Sequence, residues 1–381
     1  MDFDYVVMPA ILFVVGIGVA WLGARRVLSL SKEPGNTWQK AVKCIALEAL
    51  ACIAAVVAFS SVFNAIALYR FRAANPPPGA FYTVHGRQMH INCTGSGSPT
   101  IVLEAGALSD AAVWEGVQPA LSRTTRVCSY DRAGYGWSEP QPGPSDADHI
   151  AAQLHELLTQ ANINGPIVLM GHSIAGLYMR DYAARYPEGL AGMVFLDVST
   201  PRMEENPAYR AVNSNAMLRR TVWQVYGSVL SAGIPRLLWI CHQPVPYLYP
   251  HATRTQAEAL FHLHTATVVS EMDSFGNSGR QTVHTGPFGD LPILIFSQDF
   301  TPWISGQNPS KKWVDVAKMF MQMQENLKKL STRSRRIIAK GSGHSIQNDR
   351  PDLIEKEVPL FIEQLRGIAP PPANYGTTVT E

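Results

Sequence analysis

The stretch Gly171-His172-Ser173-Ile174-Ala175-Gly176 decides how the rest of this chain is interpreted. It follows the apolar run 167–170 and precedes the helix-like segment 177–186, so the sequence predicts a strand, a sharp turn and a helix. The close approach of strand and helix at such a turn requires small residues two positions before and two positions after the serine, and Gly171 and Ala175 meet that requirement. A chance Gly-x-Ser turn is the competing interpretation. The strand before it and the helix after it favour a turn that presents Ser173 as a nucleophile.

Composition restricts the class of protein. The chain has 381 residues, a net charge of +2 and 16% charged residues. A nearly neutral chain gives no argument for nucleic-acid binding. Because soluble domains usually contain ~25% charged residues, the deficit indicates a membrane-embedded portion. The five cysteines show no metal-ligand spacing, and neither a metal nor an organic cofactor is predicted.

Two long apolar runs predict a membrane hairpin over residues 1–72. The first run covers 5–24, and the second covers 44–69 with four polar interruptions: Glu48, Ser60, Ser61 and Asn64. Twenty helical residues span ~30 Å, the thickness of the hydrocarbon core of a bilayer. A cleaved signal peptide is the alternative for the first run, but Arg25 and Arg26 follow that run instead of preceding it.

Basic residues predict the orientation of this hairpin. The loop between the runs carries Arg25, Arg26, Lys32, Lys40 and Lys43, whereas the N-terminus carries only Asp2 and Asp4. The loop is therefore expected to be cytoplasmic, which makes the protein a multi-pass membrane protein with the rest of the chain extracytoplasmic. Arg70 and Arg72 argue weakly for the opposite orientation. A proline-stiffened linker is predicted over 73–80.

From residue 81 to residue 369 the pattern predicts an α/β domain. Eight short strands alternate with amphipathic helices such as 149–161, which predicts a mostly parallel eight-stranded sheet covered by helices on both faces. The predicted strands are 81–84, 89–92, 100–104, 126–130, 167–170, 193–196, 293–296 and 336–339. Residues 199–290 interrupt the alternation and predict a helical cap, with a plain helical insertion as the alternative. Residues 370–381 are predicted to be a disordered tail.

Four motifs, in order along residues 81–366, carry a resemblance to the serine-hydrolase branch of the α/β-hydrolase superfamily. The first, Leu103-Glu104-Ala105-Gly106-Ala107, resembles an oxyanion turn in which Glu-Ala-Gly replaces the commoner His-Gly. The second, Tyr130-Asp131-Arg132-Ala133-Gly134-Tyr135-Gly136-Trp137-Ser138, resembles the loop after the fourth strand. The turn at Ser173 is the third, and the histidine loop Gly341-Ser342-Gly343-His344 is the fourth. The predicted hairpin lies outside this resemblance.

A serine needs a base within hydrogen-bond reach to act as a nucleophile. Among eleven histidines, His344 is the candidate because it follows a predicted strand and completes the order serine, acid, histidine. His172 is expected to pack under the turn. His262 and His264 are interpreted as surface or pocket residues because no third metal ligand accompanies them.

Two aspartates compete for the role of orienting the His344 imidazole. Asp299 follows the strand 293–296, the place where the family most often keeps this acid, although it comes one residue earlier than the common spacing. Asp197 ends the preceding strand, and some α/β-hydrolases place the acid there; its alternative interpretation is a turn or capping residue. Asp299 is preferred and Asp197 is the alternative.

The developing oxyanion needs two backbone N–H donors. Ile174 would supply one donor and Ala107 the other, with Leu108 as a substitute for Ala107. The loop 131–138 is predicted to be structural, with Asp131 and Arg132 pairing internally. Cys93 and Cys128 lie on strands that the resemblance makes neighbours, so a disulfide is one outcome in an oxidising compartment and two buried thiols are the more usual one.

The resemblance implies a membrane-anchored serine hydrolase that forms an acyl-enzyme. A small, lipophilic acyl ester is the expected substrate, and a thioester, lactone or amide would suit the same chemistry. Serine at position 173 argues against the dehalogenase and epoxide hydrolase branches, which the resemblance implies use aspartate there. The alternatives are an acyltransferase, a peptidase and a non-catalytic binding protein.

Overall fold

The computed structural model describes residues 8–30, 32, 36–213, 216–237, 265–305, 310–373 and 375–381. The chain divides into two compact units. The first comprises Met1–Pro77 and Thr221–Pro244, and the second comprises Pro78–Arg220 and Val245–Glu381.

In the described part of the second unit, nine strands form one sheet with the order β1-β2-β4-β3-β5-β6-β7-β8-β9. The β1–β2 and β2–β4 pairs are antiparallel, and the other neighbouring pairs are parallel. The strands are β1 Ala80–Val84, β2 Arg87–Thr94, β3 Thr100–Glu104, β4 Val127–Tyr130, β5 Ile167–His172, β6 Leu190–Leu196, β7 Ile293–Gln298, β8 Ser334–Ala339 and β9 Thr378–Thr380. The predicted fold class is confirmed.

The predicted disordered tail is wrong in part, because residues 378–380 form the ninth strand. Thr378 lies opposite Arg336 of β8 in parallel register. The run Thr377-Thr378-Val379-Thr380 is rich in β-branched residues, which suit a pleated surface. It also covers an edge of β8 that would otherwise expose unpaired backbone groups.

The helices of the described residues lie between the strands and before them. They are α1 Met8–Leu30, α2 Thr37–Ala74, α3 Gln118–Leu121, α4 Ala147–Gln160, α5 Ala175–Arg185, α6 Pro207–Asn213, α7 Ala216–Ser231, α8 Ile234–Leu237, α9 Thr265–Gln281, α10 Thr301–Ser305, α11 Lys311–Asn326, α12 Ile346–Asp349 and α13 Pro351–Leu365. Neighbouring residues of one strand enter separate core clusters, as Val168 and Leu169 of β5 do. Both faces of the sheet are therefore covered, as expected for buried parallel strands.

Cys93 and Cys128 form a disulfide with an S–S distance of 2.08 Å. The two residues lie directly opposite each other on the antiparallel strands β2 and β4. Of the two outcomes expected from the sequence, the disulfide is therefore the one that the structure shows.

The first unit contains the two apolar helices. Both α1 and α2 are long and apolar enough to cross a bilayer, by length and composition. In the described residues α1 continues past the predicted end at 24 to Leu30, and α2 extends beyond the predicted run 44–69 at both ends. The side chain of Asn36 caps α2 by accepting a hydrogen bond from Trp38 N at 3.0 Å. Because α2 continues to Ala74 and β1 begins at Ala80, the connection is shorter than the predicted linker 73–80.

The predicted cap over 199–290 is helical in its described residues, which include α6, α7, α8 and α9. Its segment Thr221–Pro244 belongs to the same compact unit as the apolar hairpin, which the sequence did not predict. His262 and His264 lie outside the described residues.

Candidate active site

Ser173 occupies a strained turn between β5 and α5. Its φ of +59° lies in the left-handed region that non-glycine residues rarely adopt. A Cβ added at Gly171 would lie 2.7 Å from the Ala175 methyl group, so the glycine makes room for the alanine two positions after the serine. The predicted need for small residues on both sides of Ser173 is confirmed, with Gly171 before the serine and Ala175 after it.

A line of hydrogen bonds joins Ser173, His344 and Asp197. The Ser173 Oγ atom lies 3.0 Å from His344 Nε2, and His344 Nδ1 lies 2.6 Å from Asp197 Oδ2. Asp197 is buried and follows β6, and its second oxygen accepts a hydrogen bond from Gln298 N at 3.2 Å. With its Nδ1–H donated to the carboxylate, the imidazole presents Nε2 to the serine as an acceptor.

The preference for Asp299 as the partner of His344 is wrong. Asp299 instead accepts hydrogen bonds from the backbone N–H groups of Thr301, at 2.9 Å, and Gly341, at 3.0 Å. Its own N–H donates to Ser342 O at 3.0 Å. Asp299 therefore holds the backbone of the histidine loop, while Asp197 contacts the imidazole itself. The alternative named from the sequence is the residue found there.

His172 contacts the histidine loop. Its Nε2 atom donates to His344 O at 3.0 Å, and the two rings are 4.6 Å apart at their centroids. Burial, together with the nearby His344, lowers the pKa of His172 well below its ordinary value. A neutral His172 thus links the serine turn to the loop that carries the candidate base, a contact beyond the packing role expected for it.

The predicted oxyanion turn passes directly beside the serine. A Cβ added at Gly106 would lie 2.7 Å from His172 Nδ1 and 3.4 Å from Ser173 Cβ. Only glycine brings the backbone this close without displacing His172. Ala107 follows Gly106 in this turn, and Ile174 follows Ser173 at the start of α5. Their N–H groups remain the predicted oxyanion donors.

A buried guanidinium holds the oxyanion turn in place. Arg132 donates to Ala105 O at 2.6 Å and to Gly106 O at 2.7 Å. It also pairs with Glu104 at 2.8 Å and with Glu271 at 3.0 Å. Burial alone would lower the pKa of Arg132, but the charges of Glu271 and Glu104 raise it well above its ordinary value. The cation is therefore permanent, and its donors fix the course of residues 105–106.

Glu271 connects the cap helix α9 to the same turn. Its carboxylate accepts hydrogen bonds from Tyr135 OH at 2.6 Å, Tyr178 OH at 3.2 Å and Leu108 N at 3.4 Å. The substitute oxyanion donor named from the sequence, Leu108 N–H, is thus directed to a carboxylate. Glu271 was not identified from the sequence, because nothing in an amphipathic cap helix marks which acid enters the core.

The predicted internal pair between Asp131 and Arg132 is wrong. Asp131 contacts His90 instead, with its Oδ2 atom 2.8 Å from His90 Nδ1, while Arg132 contacts Glu104. Glu104 also accepts a hydrogen bond from Tyr130 OH. A glutamate at the end of the buried strand β3, directly after Ile101-Val102-Leu103, was the available sign of a buried partner for this arginine.

Residues 99–223 match the family model of the alpha/beta hydrolase fold. The nine-stranded sheet and the strand-turn-helix at Ser173 agree with this match, and the chain has the α/β-hydrolase fold. An uncharacterised protein of Schizosaccharomyces pombe is 27% identical over 323 residues, which cover 74% of this chain and 55% of that protein. An AB hydrolase superfamily protein of Gibberella zeae is 24% identical over 70% of this chain and 87% of its own length. The chain spans about half the length of the first curated relatives that it matches.

A solved structure of a thermophilic esterase from Thermogutta terrifontis superposes with a TM-score of 0.55. It covers 76% of this chain and 99% of the esterase at 16% identity. At that identity the likeness establishes the fold alone.

Proposed function

We propose that this protein is a membrane-anchored serine hydrolase that cleaves a lipophilic acyl ester through Ser173, His344 and Asp197. The observation that carries the proposal is the line of hydrogen bonds from Ser173 Oγ to His344 Nε2, at 3.0 Å, and from His344 Nδ1 to Asp197, at 2.6 Å. A nucleophile, its base and the group that orients the base are all within reach of one another.

The chemistry proceeds in two steps. Ser173 Oγ attacks the acyl carbonyl while His344 Nε2 takes its proton, and Asp197 stabilises the imidazolium that forms. His344 then gives this proton to the departing alcohol, which leaves an acyl-enzyme. Water attacks the acyl-enzyme, again with His344 as the base, and releases the acid and the free serine. Ile174 N–H and Ala107 N–H bind the oxyanion in both steps, where loss of one such donor typically costs ~3 kcal/mol.

Two features support the membrane anchor and the location. Both α1 and α2 are long enough and apolar enough to span a bilayer. The Cys93–Cys128 disulfide suits an oxidising compartment, in agreement with the extracytoplasmic orientation expected from the basic loop between the helices. A domain held at a bilayer meets lipophilic esters at high local concentration. Thioesters, lactones, amides and transfer to an alcohol use the same intermediate, and product analysis separates them.

Labelling by a fluorophosphonate probe tests this function. We expect the wild-type protein in membranes to be labelled and the Ser173→Ala variant to remain unlabelled. Ser310→Ala serves as a matched control, because Ser310 is exposed and its side chain makes no capping hydrogen bond. Equal labelling of the wild type and Ser173→Ala, or no labelling of either, would contradict the proposal and favour a non-catalytic binding protein.

A further inference from the structure

The helix α2 buries polar side chains within its apolar run. Ser60, Asn64 and Leu68 are 0%, 3% and 3% exposed, and their spacing of four places them on one face of the helix. Large apolar residues such as Ile53, Phe59 and Ile66 are exposed on α2. A polar side chain facing lipid would be costly. The row formed by Ser60 and Asn64 is therefore a surface for protein contact.

The cap segment Thr221–Leu237 covers this row. Arg236 is 7% exposed, and its Nε atom donates to Asn64 Oδ1 at 2.8 Å. Gly233 has a φ of +70°, and a Cβ added there would lie 2.7 Å from Ser60 O. The turn between α7 and α8 thus packs closely against α2, and its glycine is needed both for the backbone conformation and for the close approach.

The position of Asn64 along α2 sets the depth of this contact. Residues 49–69 carry no charged side chain, and at 1.5 Å per residue they extend about 31 Å, close to the ~30 Å of a hydrocarbon core. Asn64 lies five residues before the end of this stretch, about 7.5 Å inside it at the same rise. At that depth the hydrogen bond to the Asn64 amide oxygen gives the buried Arg236 guanidinium a polar partner.

The helix α7, which leads into this turn, exposes a row of valines. Val222, Val225 and Val229 are 52%, 56% and 36% exposed and are spaced three and four residues apart, so they share one face. The segment 216–237 contains Arg219, Arg220 and Arg236 but no acidic residue. Exposed apolar residues on a basic helix are typical of helices that lie in a membrane interface.

From these observations we infer that Thr221–Leu237 is a third membrane contact, in addition to the two spanning helices. The valine face of α7 lies in the lipid interface, and the Gly233–Arg236 turn docks on α2 at the Tyr69 end of the span. The lipid bilayer is the partner because α7 is continuous with a turn that is already fixed to a membrane-crossing helix. The inference rests on the proposed anchor, and it extends the membrane contact to the insertion between β6 and β7.

Fluorescence quenching by lipids with brominated acyl chains tests this contact in the full-length protein. An environment-sensitive dye is attached to Val225→Cys after Cys44, Cys52 and Cys241 are replaced by serine, in vesicles of phosphatidylcholine and phosphatidylglycerol. Phe59→Cys, on the exposed face of α2, reports the anchor. Gln224→Cys reports a polar position of α7, and Lys356→Cys reports the exposed surface of α13. We expect the dye at Val225 to be quenched at least half as strongly as at Phe59, and more strongly than at Gln224 or Lys356.

The two proposals fail in different ways in this experiment. If the dye at Phe59 is quenched but the dye at Val225 is quenched no more than that at Lys356, the third contact is overturned and the proposed anchor is retained. The valine face would then be exposed to water or would contact a second copy of the chain. Absence of quenching at both Phe59 and Val225 overturns the anchor and the contact together. The hydrolase chemistry is judged separately, by probe labelling at Ser173.

A pair of variants at Asn64 tests the docking itself. Asn64→Leu removes the acceptor of Arg236 and is expected to at least halve the quenching at Val225, without changing that at Phe59. Asn64→Gln keeps an amide oxygen and is expected to restore much of the signal. Asn64→Leu should also slow hydrolysis of a long-chain ester embedded in the vesicles relative to a short soluble ester. Unchanged quenching at Val225 in Asn64→Leu would overturn the docking contact.

Discussion

Asp197 and Asp299 follow the neighbouring strands β6 and β7, yet their surroundings assign them different tasks. Asp197 has a φ of +45°, is buried and directs one oxygen to His344 Nδ1 at 2.6 Å. Asp299 is partly exposed and accepts hydrogen bonds from two backbone N–H groups, one of them in the histidine loop. The backbone of Asp197 thus lies in the left-handed region, which non-glycine residues rarely adopt. Of two aspartates at neighbouring strand ends, one thus contacts the His344 imidazole and the other accepts hydrogen bonds from the backbone of the histidine loop.

The largest expected effect is that of Asp197→Asn. An amide in place of the carboxylate neither fixes the required imidazole tautomer nor stabilises the imidazolium, so we expect kcat to fall by roughly four orders of magnitude. Ester hydrolysis by the purified protein measures the loss, and the melting temperature verifies that the variant folds. Retention of more than a tenth of the activity would remove Asp197 from the proposed triad.

Glu271 is a third carboxylate, and it contacts neither His344 nor the histidine loop. Its substitution Glu271→Gln is expected to have the next largest effect. With its single oxygen in the place of Oε2, the amide can still accept from Tyr135 and Leu108. Its NH2 group then faces Tyr178 and Arg132, and the charge beside Arg132 is lost. We expect a loss of roughly ten- to thirtyfold in kcat, about 1.4–2 kcal/mol, with KM nearly unchanged, because the turn serves the transition state.

Affinity for a trifluoromethyl ketone, which mimics the tetrahedral intermediate, should fall in parallel with kcat in Glu271→Gln. Asp273→Asn is the matched control on the same helix, where Asp273 forms an exposed pair with Arg220 at 3.3 Å. Such surface pairs contribute little to stability. An equal loss in both variants, or a loss confined to KM, would contradict a positioning role for Glu271.

Asp299→Asn should have a much smaller effect than Asp197→Asn. Partial burial would raise the pKa of Asp299, but hydrogen bonds from Thr301 and Gly341 lower it below the ordinary value. An asparagine oxygen can still accept from Gly341 N, so the histidine loop keeps its main support. We expect kcat within about threefold of the wild type, since loss of charge at a partly exposed site usually costs little. A larger loss than that of Asp197→Asn would reverse the assignment of the acid.

The sequence predicted the sheet, the serine turn and His344 because each depends on local pattern. Alternating strands and helices define the fold, and the small residues around Ser173 define its turn. The choice between Asp197 and Asp299 could not be made in this way, since both follow adjacent parallel strands and their carboxylates end at the same edge. The difference lies in one backbone dihedral and in which N–H groups the neighbouring loops present. Glu271 escaped prediction for a related reason, because its partner Arg132 is 139 positions away in the chain.

The pair His90–Asp131 can be compared with the pair His344–Asp197, because both join a histidine Nδ1 to an aspartate but only His344 also contacts a serine. His90 Nδ1 lies 2.8 Å from Asp131, and its Nε2 atom lies 2.6 Å from Pro78 O. Since both partners are acceptors, both ring nitrogens donate and the imidazole is positively charged. Burial would lower the pKa of His90, but the hydrogen bond and charge of Asp131 and the Pro78 carbonyl raise it above the ordinary value.

We therefore expect His90 to affect stability and its pH dependence, while leaving the acylation chemistry intact. A histidine whose pKa is raised on folding contributes stability fully below its unfolded pKa, about 6.5, and loses that contribution as the pH rises through the folded value. Asp110 adds a trend of the same sign, because burial and the nearby Asp131 raise its pKa to about 7, so that it ionises in the folded state above this pH.

The difference in melting temperature between the wild type and His90→Gln reports the contribution of His90, including its electrostatic interaction with Asp110. This difference should be largest near pH 6 and shrink toward pH 9. The rates of probe labelling at Ser173 in the two proteins, measured at one temperature well below both melting transitions, should differ by less than about threefold. A difference that grows with pH would mean that His90 is neutral in the fold. If His90→Gln slowed labelling as much as Asp197→Asn does, the buried pair His90–Asp131 would affect the reactivity of Ser173 without contacting it.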